Sequence, residues 1–412
     1  MSTQIFTNID LLVNVRGSVK MLRGEDLKTL PSIKNAYLVV EDEMIAECGE
    51  MANYHYDLKN VTEVAANTIV MPCWCDSHTH IVYAGSRENE FVDKIKGLSY
   101  AEIAARGGGI LNSASKIHET SEDDLFNQSW KRLDEVSKLG TGAIEIKSGY
   151  GLSVQDELKM LRVIKRLKEK SSLLIKSTFL GAHAYPLVYK GDHATYIATI
   201  TDEMLPVIAK EKLADFIDVF CEGGFFSAGE MDKICTAGKQ YGLIPKLHVN
   251  QLSSIGGIQK GIELNALSLD HLETLTEGEI EMLGKFNGCA TLLPGAAFFL
   301  RMNYPPARKL IEANAAVTLA SDYNPGSSPS GNMNLVIAMA CIQMKMLPEE
   351  AINAGTVNGA YALALENDTG SITMGKKANL IFTKPVPSLA YFAYSFGSNL
   401  IDKVMINGQF VN

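Results

Sequence analysis

The side chains best suited to chemistry fall in a pattern. Asp76-Ser-His78-Thr-His80 closes an apolar run. In an extended chain successive side chains alternate faces, so His78 and His80 share one side and Thr79 takes the other. Two imidazoles converging from one strand end are a natural beginning for a zinc or iron site. His183, His248, His271 and Asp322 each end or follow another short apolar run, so five of the eight histidines occupy such positions. Imidazoles and a carboxylate around one metal acidify bound water into a nucleophile, which points to hydrolysis. The same parity turns Cys73 and Cys75 away from the histidines. Both read as packing residues, since free cysteine is commonly buried.

These residues need a scaffold that brings strand ends together. Apolar runs predict eight strands, at 69–75, 143–146, 173–180, 216–221, 244–248, 266–270, 289–293 and 317–320. Helical signals lie between most of them. Ser121-x-x-Asp124 opens a segment with Phe126, Trp130 and Leu133 on one side, and Ser153-x-x-Asp156 opens one with Leu158, Leu161, Ile164 and Leu167. Strands alternating with helices predict parallel βαβ units, and eight of them predict a closed (β/α)8 barrel whose carboxyl-end loops build the site. An open doubly wound sheet is disfavoured because no Gly-x-Gly-x-x-Gly follows the first strand. Gly107-Gly-Gly109 alone reads as a loop. Both termini instead carry short β-like pieces, so a β-sandwich module is expected from 1–68 plus 369–412, with the barrel over 69–368.

Composition sets the limits. The chain has 412 residues, 46% hydrophobic and 21% charged, which excludes a disordered chain and supplies a large core. Lys and Arg number 38 against 47 Asp and Glu, a net charge of −9 with no dense basic block, so nucleic acid is excluded as a partner. No export signal and no span of 18 apolar residues is seen, so no membrane association is expected. Seven cysteines without an export signal read as reduced thiols of a cytoplasmic protein.

The arrangement resembles the amidohydrolase superfamily, and within it the imidazolonepropionase family. The match runs through Asp76-Ser-His-Thr-His80, Gly85-Ser-Arg-Glu-Asn-Glu-Phe91, Glu145-Ile-Lys-Ser-Gly-Tyr-Gly151, Thr178-Phe-Leu-Gly-Ala-His183, Phe220-Cys-Glu222, Leu293-Pro-Gly295, Ala320-Ser-Asp-Tyr-Asn-Pro-Gly-Ser327 and Gly370-Ser-Ile. Lys-Ser-Gly-Tyr-Gly together with Asp-x-Asn-Pro-Gly-Ser is specific to this family. The resemblance implies hydrolytic opening of 4-imidazolone-5-propanoate to N-formimino-L-glutamate in histidine breakdown. It implies one metal, Zn or Fe, held by His78, His80, His248 and Asp322. Binuclear relatives use a lysine after strand four, whereas this chain has Val219-Phe-Cys-Glu222 there. Lys147, on strand two, reads as structural or as a residue of the mouth. The resemblance further assigns Arg87 to the substrate carboxylate, with Tyr100 nearby, and Tyr150 and His183 to the ring. By the same resemblance Asn324, Gly326 and Ser327 are expected to hold the opened product. Asp322 carries the proton and His271 stabilises the developing oxyanion. The expected partners are the small-molecule substrate and a second copy of the chain.

Two positions depart from the pattern. Relatives that act on nucleobases carry Glu three residues after the strand-five histidine, as do some members of the family. Here the run is His248-Val-Asn-Gln251. An amide binds or orients but does not shuttle protons at neutral pH, so Gln251 is assigned to substrate binding. That disfavours the rival reading, another mononuclear cyclic amidohydrolase or a nucleobase-type deaminase. Asn379 stands in the tail where the superfamily usually has Asp, away from the site.

Overall fold

The computed structural model describes every residue except 1, 19, 58, 60, 99–101, 103–107 and 412. Tyr100 and Gly107 therefore lie outside the described residues.

Eight parallel strands form the barrel in sequence order: β1 (Trp74–Asp76), β2 (Thr141–Lys147), β3 (Leu174–Ala182), β4 (Phe216–Cys221), β5 (Ile244–Val249), β6 (Ser268–His271), β7 (Cys289–Leu292) and β8 (Val317–Leu319). The ring closes just beyond β1 and β8. The Asp76 carboxylate accepts from Ser321 N (2.9 Å) and Ser321 Oγ (2.5 Å). Past it, Asp322 N donates to His78 O (3.0 Å) and His80 N to Tyr323 O (2.9 Å). The seam thus lies in the backbone of the predicted site residues, which fixes His78, His80 and Asp322 relative to one another.

Seven of the eight predicted strands match the observed ones within a few residues. The first is divided. Ile69–Pro72 pairs with Thr3–Val13 and Leu380–Thr383 in the terminal sheet, and only Trp74–Asp76 enters the barrel. An unbroken apolar run hides this change of sheet, because both halves are buried.

The terminal module is one hydrogen-bonded sheet of eight strands rather than two separate layers. It nevertheless folds over itself. Phe6 on Thr3–Val13 lies 6.1 Å from Phe410 on Gln409–Phe410, four strands away along the sheet. At about 4.8 Å per strand a flat sheet would hold these rings far apart. The sandwich-like core of Phe6, Val40, Phe382 and Met405 fills the fold. Asn379 is buried at the junction, where its Oδ1 accepts from Asn407 N (2.7 Å) and its carbonyl from Cys73 N (2.9 Å). Its Oδ1 acts as an acceptor as an Asp oxygen would, while its Nδ2 also donates to Thr369 Oγ1 at 3.5 Å.

The helices between barrel strands begin as their sequences predict. Ser121 caps Glu122–Lys138, and Ser153 caps Val154–Lys170, whose Leu158, Leu161, Ile164 and Leu167 are buried. No helix among the described residues is long and apolar enough to cross a membrane. Replacing the Ser153 cap tests the local account. Ser153→Ala should cost about 1 kcal/mol in chemical denaturation, and an unchanged midpoint would contradict the capping role.

Candidate active site

The predicted histidines converge over the carboxyl end of the barrel. His78, His80 and His248 are buried, with ring centroids 4.4 to 5.3 Å apart. Asp322 Oδ1 lies 3.6 Å from both His78 Nε2 and His80 Nε2. His271 closes the group, its ring 5.1 Å from His248 and 5.6 Å from His78. The backbone is bent hard to reach this arrangement, with positive φ at Asp322 (54°), His271 (88°) and Leu272 (66°). Non-glycine residues adopt that region at a cost and concentrate where function requires it.

Charged residues of the barrel interior orient the rings. Asp270 Oδ2 sits 2.7 Å from His78 Nδ1. Asp218 grips His248 twice, accepting from its backbone N (3.0 Å) and facing its Nδ1 (2.7 Å). Lys147 then bridges Asp218 and Glu145 at 2.9 Å each. Burial pushes the Asp218 carboxyl up, but His248 and Lys147 outweigh it and hold the group well below the carboxylate range. Burial, with the positive Lys147 and the neighbouring rings, keeps His78 and His80 far below the usual imidazole range, hence neutral.

This geometry is a test for a metal. With each Nδ1–H directed at a carboxylate, His78 and His248 present bare lone pairs at Nε2, and those atoms lie only 3.0 Å apart. Either one ring becomes a cation or a cation binds between them. Burial and Lys147 oppose the imidazolium, so a bound metal is the state the donor set fits. His80 Nδ1 is also buried and unpartnered, leaving that ring free to present Nε2.

Above the cluster an inner cavity of about 70 Å³ is lined by His80, Tyr150, His183, Gln251, His271 and Asp322, among others. An outer cavity of about 400 Å³ shares the Tyr150, His183 and Gln251 walls and ends at Arg87 and Lys94. His183 Nδ1 faces the Gly149 carbonyl at 3.0 Å. It must donate there, so its Nε2 is an acceptor toward the cavity, and burial lowers its pKa to about 3, keeping it neutral. The Tyr150 turn is fastened by Glu157, which accepts from Gly149, Gly151 and Leu152 N at 2.7–3.1 Å. A Cβ at Gly151 would lie 2.4 Å from Glu157 N, which explains the glycine in this motif.

Comparison with known proteins agrees with this geometry. A family model described as "Amidohydrolase family" matches residues 226–411. The curated "Imidazolonepropionase" of Flavobacterium johnsoniae is 56% identical over 408 residues, covering 99% of each chain. That of Christiangramia forsetii is 53% identical over 410 residues, covering 99% of this chain and all of its own. The chain belongs to the imidazolonepropionase family. Among solved structures, guanine deaminase from C. acetobutylicum with bound guanine superposes with a TM-score of 0.72 at 17% identity, each chain fully covered. A triazine hydrolase variant gives 0.73 at 12% identity over 99% of this chain and 94% of that one. At such identities these likenesses concern the barrel-plus-module fold alone.

Within this family member most of the expected residues meet at the cavities, but two do different work from that expected. Asn324 has no hydrogen-bonding capacity left for a product. Its Nδ2 donates to Asp322 O (2.6 Å) and Ser327 Oγ (2.7 Å), and its Oδ1 accepts from Gly326 N and Ser327 N (2.8 Å each). It ties the loop to Asp322. Gly326 provides room, since a Cβ there would lie 2.3 Å from Arg87 Nη1. Ser327 Oγ reaches Asp322 Oδ2 at 3.2 Å. Lys147 is fully buried beneath the site rather than at its mouth. Cys73 and Cys75 are buried as packing residues, and all seven cysteines are free.

Sequence reasoning passed over Asp218, Asp270, Glu157 and Glu222. The signal was present for the first two, because a lone carboxylate inside an apolar barrel strand must face the interior. Glu222 clasps the loop that carries Gln251, accepting from Leu252 N at 2.8 Å and from the Ser253 hydroxyl. Removing the charge behind His78 should weaken metal binding. Asp270→Asn is expected to lower affinity about 10- to 100-fold in chelator competition, and an unchanged affinity would contradict the orienting role.

Proposed function

We propose that the chain hydrolyses 4-imidazolone-5-propanoate to N-formimino-L-glutamate, the step of histidine degradation for which its relatives are named. One observation carries the reading. A guanidinium, Arg87, lines the outer cavity, which shares Tyr150, His183 and Gln251 with the inner cavity over His80, His248 and Asp322, so a ring bearing a short carboxylate arm can reach from one to the other. Planar guanidinium suits a carboxylate better than an ammonium does. The absence of a carboxylate at Gln251 speaks against the deaminase alternative.

His78, His80, His248 and Asp322 would hold a single zinc or iron ion. When bound, such a metal supplies a Lewis acid and lowers the pKa of water. The chain's own residues do the rest. Arg87 takes the propanoate arm, and His183 Nε2 accepts from a ring N–H. Tyr150 and Gln251 line the cavity that takes the ring. Water adds to the ring carbonyl carbon, and the adjacent C–N bond breaks. Asp322, raised to about 6 by burial, receives the water proton and passes it to the departing nitrogen. His271 donates toward the developing oxyanion. Burial pulls its pKa down, but Glu273 at 3.3 Å, with Asp322 and Asp270, leaves it above the ordinary imidazole value. The carbonyl becomes the second carboxylate of the product. The proposal includes a homodimer in the cytoplasm. The family resemblance supports the dimer and seven free thiols support the compartment. Light scattering should give twice the chain mass.

Metal-replete protein should open imidazolonepropanoate far faster than it deaminates guanine, and equal rates would refute the assignment. Arg87→Ala should raise KM roughly 100-fold with kcat little changed, since it removes a contact made equally in ground and transition states. Asp322→Asn should abolish turnover, and near-normal kcat would remove it as proton carrier.

A further inference from the structure

Arg87 is not a free cation. Its Nε and Nη2 both donate to Glu90 Oε2, at 2.9 and 2.6 Å, and both side chains are largely buried. The other oxygen of Glu90 accepts from Gly109 N (3.1 Å) and Asn112 Nδ2 (3.4 Å). Nη1, packed over Gly326, and the second N–H of Nη2 remain for a ligand. The Arg87–Glu90 pair is formally neutral, and a neutral pair attracts an anion weakly. A protein of net charge −9 adds no long-range attraction.

Lys94 supplies what the pair lacks. It lies on the same helix, Glu88–Ile95, and lines the same outer cavity as Arg87. Its Nζ reaches the Gly326 carbonyl at 3.5 Å, so both cations meet at one glycine. Phe299 covers one side, its ring centroid 5.8 Å from Nζ. Two other acids lie on that helix: Glu88 is exposed and turned to the Ser86 hydroxyl, and Asp93, which precedes Lys94, makes an interaction of its own. Burial first, then the repulsion of Arg87, lower the Lys94 pKa, with Glu90 opposing them. An anion bound between Arg87 Nη1 and Lys94 Nζ would relieve that repulsion.

We propose that Lys94 is a second anion-binding residue of the site, giving the outer cavity the net positive charge that holds the substrate carboxylate. Glu90 in turn is a positioning residue, which presents one edge of Arg87 and spends the other. The inference rests on the ring-opening reading, and its test separates the two.

Lys94→Met keeps the length and apolar contacts of the stem and deletes the charge, whereas Lys94→Arg keeps the charge. In metal-replete full-length protein, Lys94→Met should raise KM for imidazolonepropanoate roughly tenfold with kcat within about twofold, and Lys94→Arg should restore most of the loss. The dependence of KM on salt should flatten in Lys94→Met, because the screened charge is gone. Calorimetry supplies a readout that needs no turnover. Binding of 3-(imidazol-4-yl)propanoate should weaken by the same factor, and binding of the uncharged 3-(imidazol-4-yl)propan-1-ol should not change. Equal weakening for both ligands would show mere loosening of the cavity and overturn the proposal, as would an unchanged KM. Wild-type protein that fails to open the ring but binds the propanoate in a Lys94-dependent way would overturn the functional reading and leave Lys94 standing.

Discussion

Everything at the active end of this barrel depends on two imidazole nitrogens that face each other at 3.0 Å with no proton between them. Asp270 and Asp218 hold His78 and His248 by their Nδ1 atoms, so both Nε2 lone pairs point into the same dry space. Lone pairs so placed repel unless a cation joins them. The carboxylates behind them are themselves buried and depend on Lys147 and Lys246 inside the barrel. Removing one member of such a buried set typically costs about 3–5 kcal/mol, because the partner is left as an uncompensated charge. The site and the barrel interior are therefore one electrostatic unit, assembled when the strands come into register.

The barrel seam belongs to the same unit. Asp76 secures Ser321, and the next residues on each side carry His78, His80 and Asp322. Closing the ring and positioning the cluster are a single event, which is why strained backbone at Asp322 and His271 is tolerated. Farther out the walls change character. Buried carboxylates of Glu157, Glu222 and Glu90 each clasp a loop or side chain by two or three hydrogen bonds, and those loops present Tyr150, Gln251 and Arg87 to the cavities. A rigid outer wall spares the entropy that binding a small, flexible acid would otherwise lose.

Much of this was legible before any coordinates. Apolar runs placed seven strands, because parallel barrel strands are buried on both sides and tolerate few polar residues. Parity put His78 and His80 on one face, strand-end positions brought His183, His248, His271 and Asp322 to the same end, and the family resemblance supplied the ligand set. What stayed hidden depends on register and partner. The run at 69–75 changes sheets without a change in polarity, since only Cys73 lies between two equally buried halves. Asp218 and Asp270 are carboxylates in apolar strands, a signal the sequence reading passed over, and only the pairing of β4 with β5 shows that Asp218 belongs to His248. Asn324, expected to hold the product, instead spends its hydrogen bonds on the local turn.

The number of metal ions per chain tests the central claim most directly. Protein purified without chelator and analysed by plasma mass spectrometry should carry one zinc or iron per chain, because the close donor groups all share His78 and β4 ends without a lysine to bridge a second ion. Protein that is catalytically competent with no bound transition metal, or with two per chain, would contradict the account.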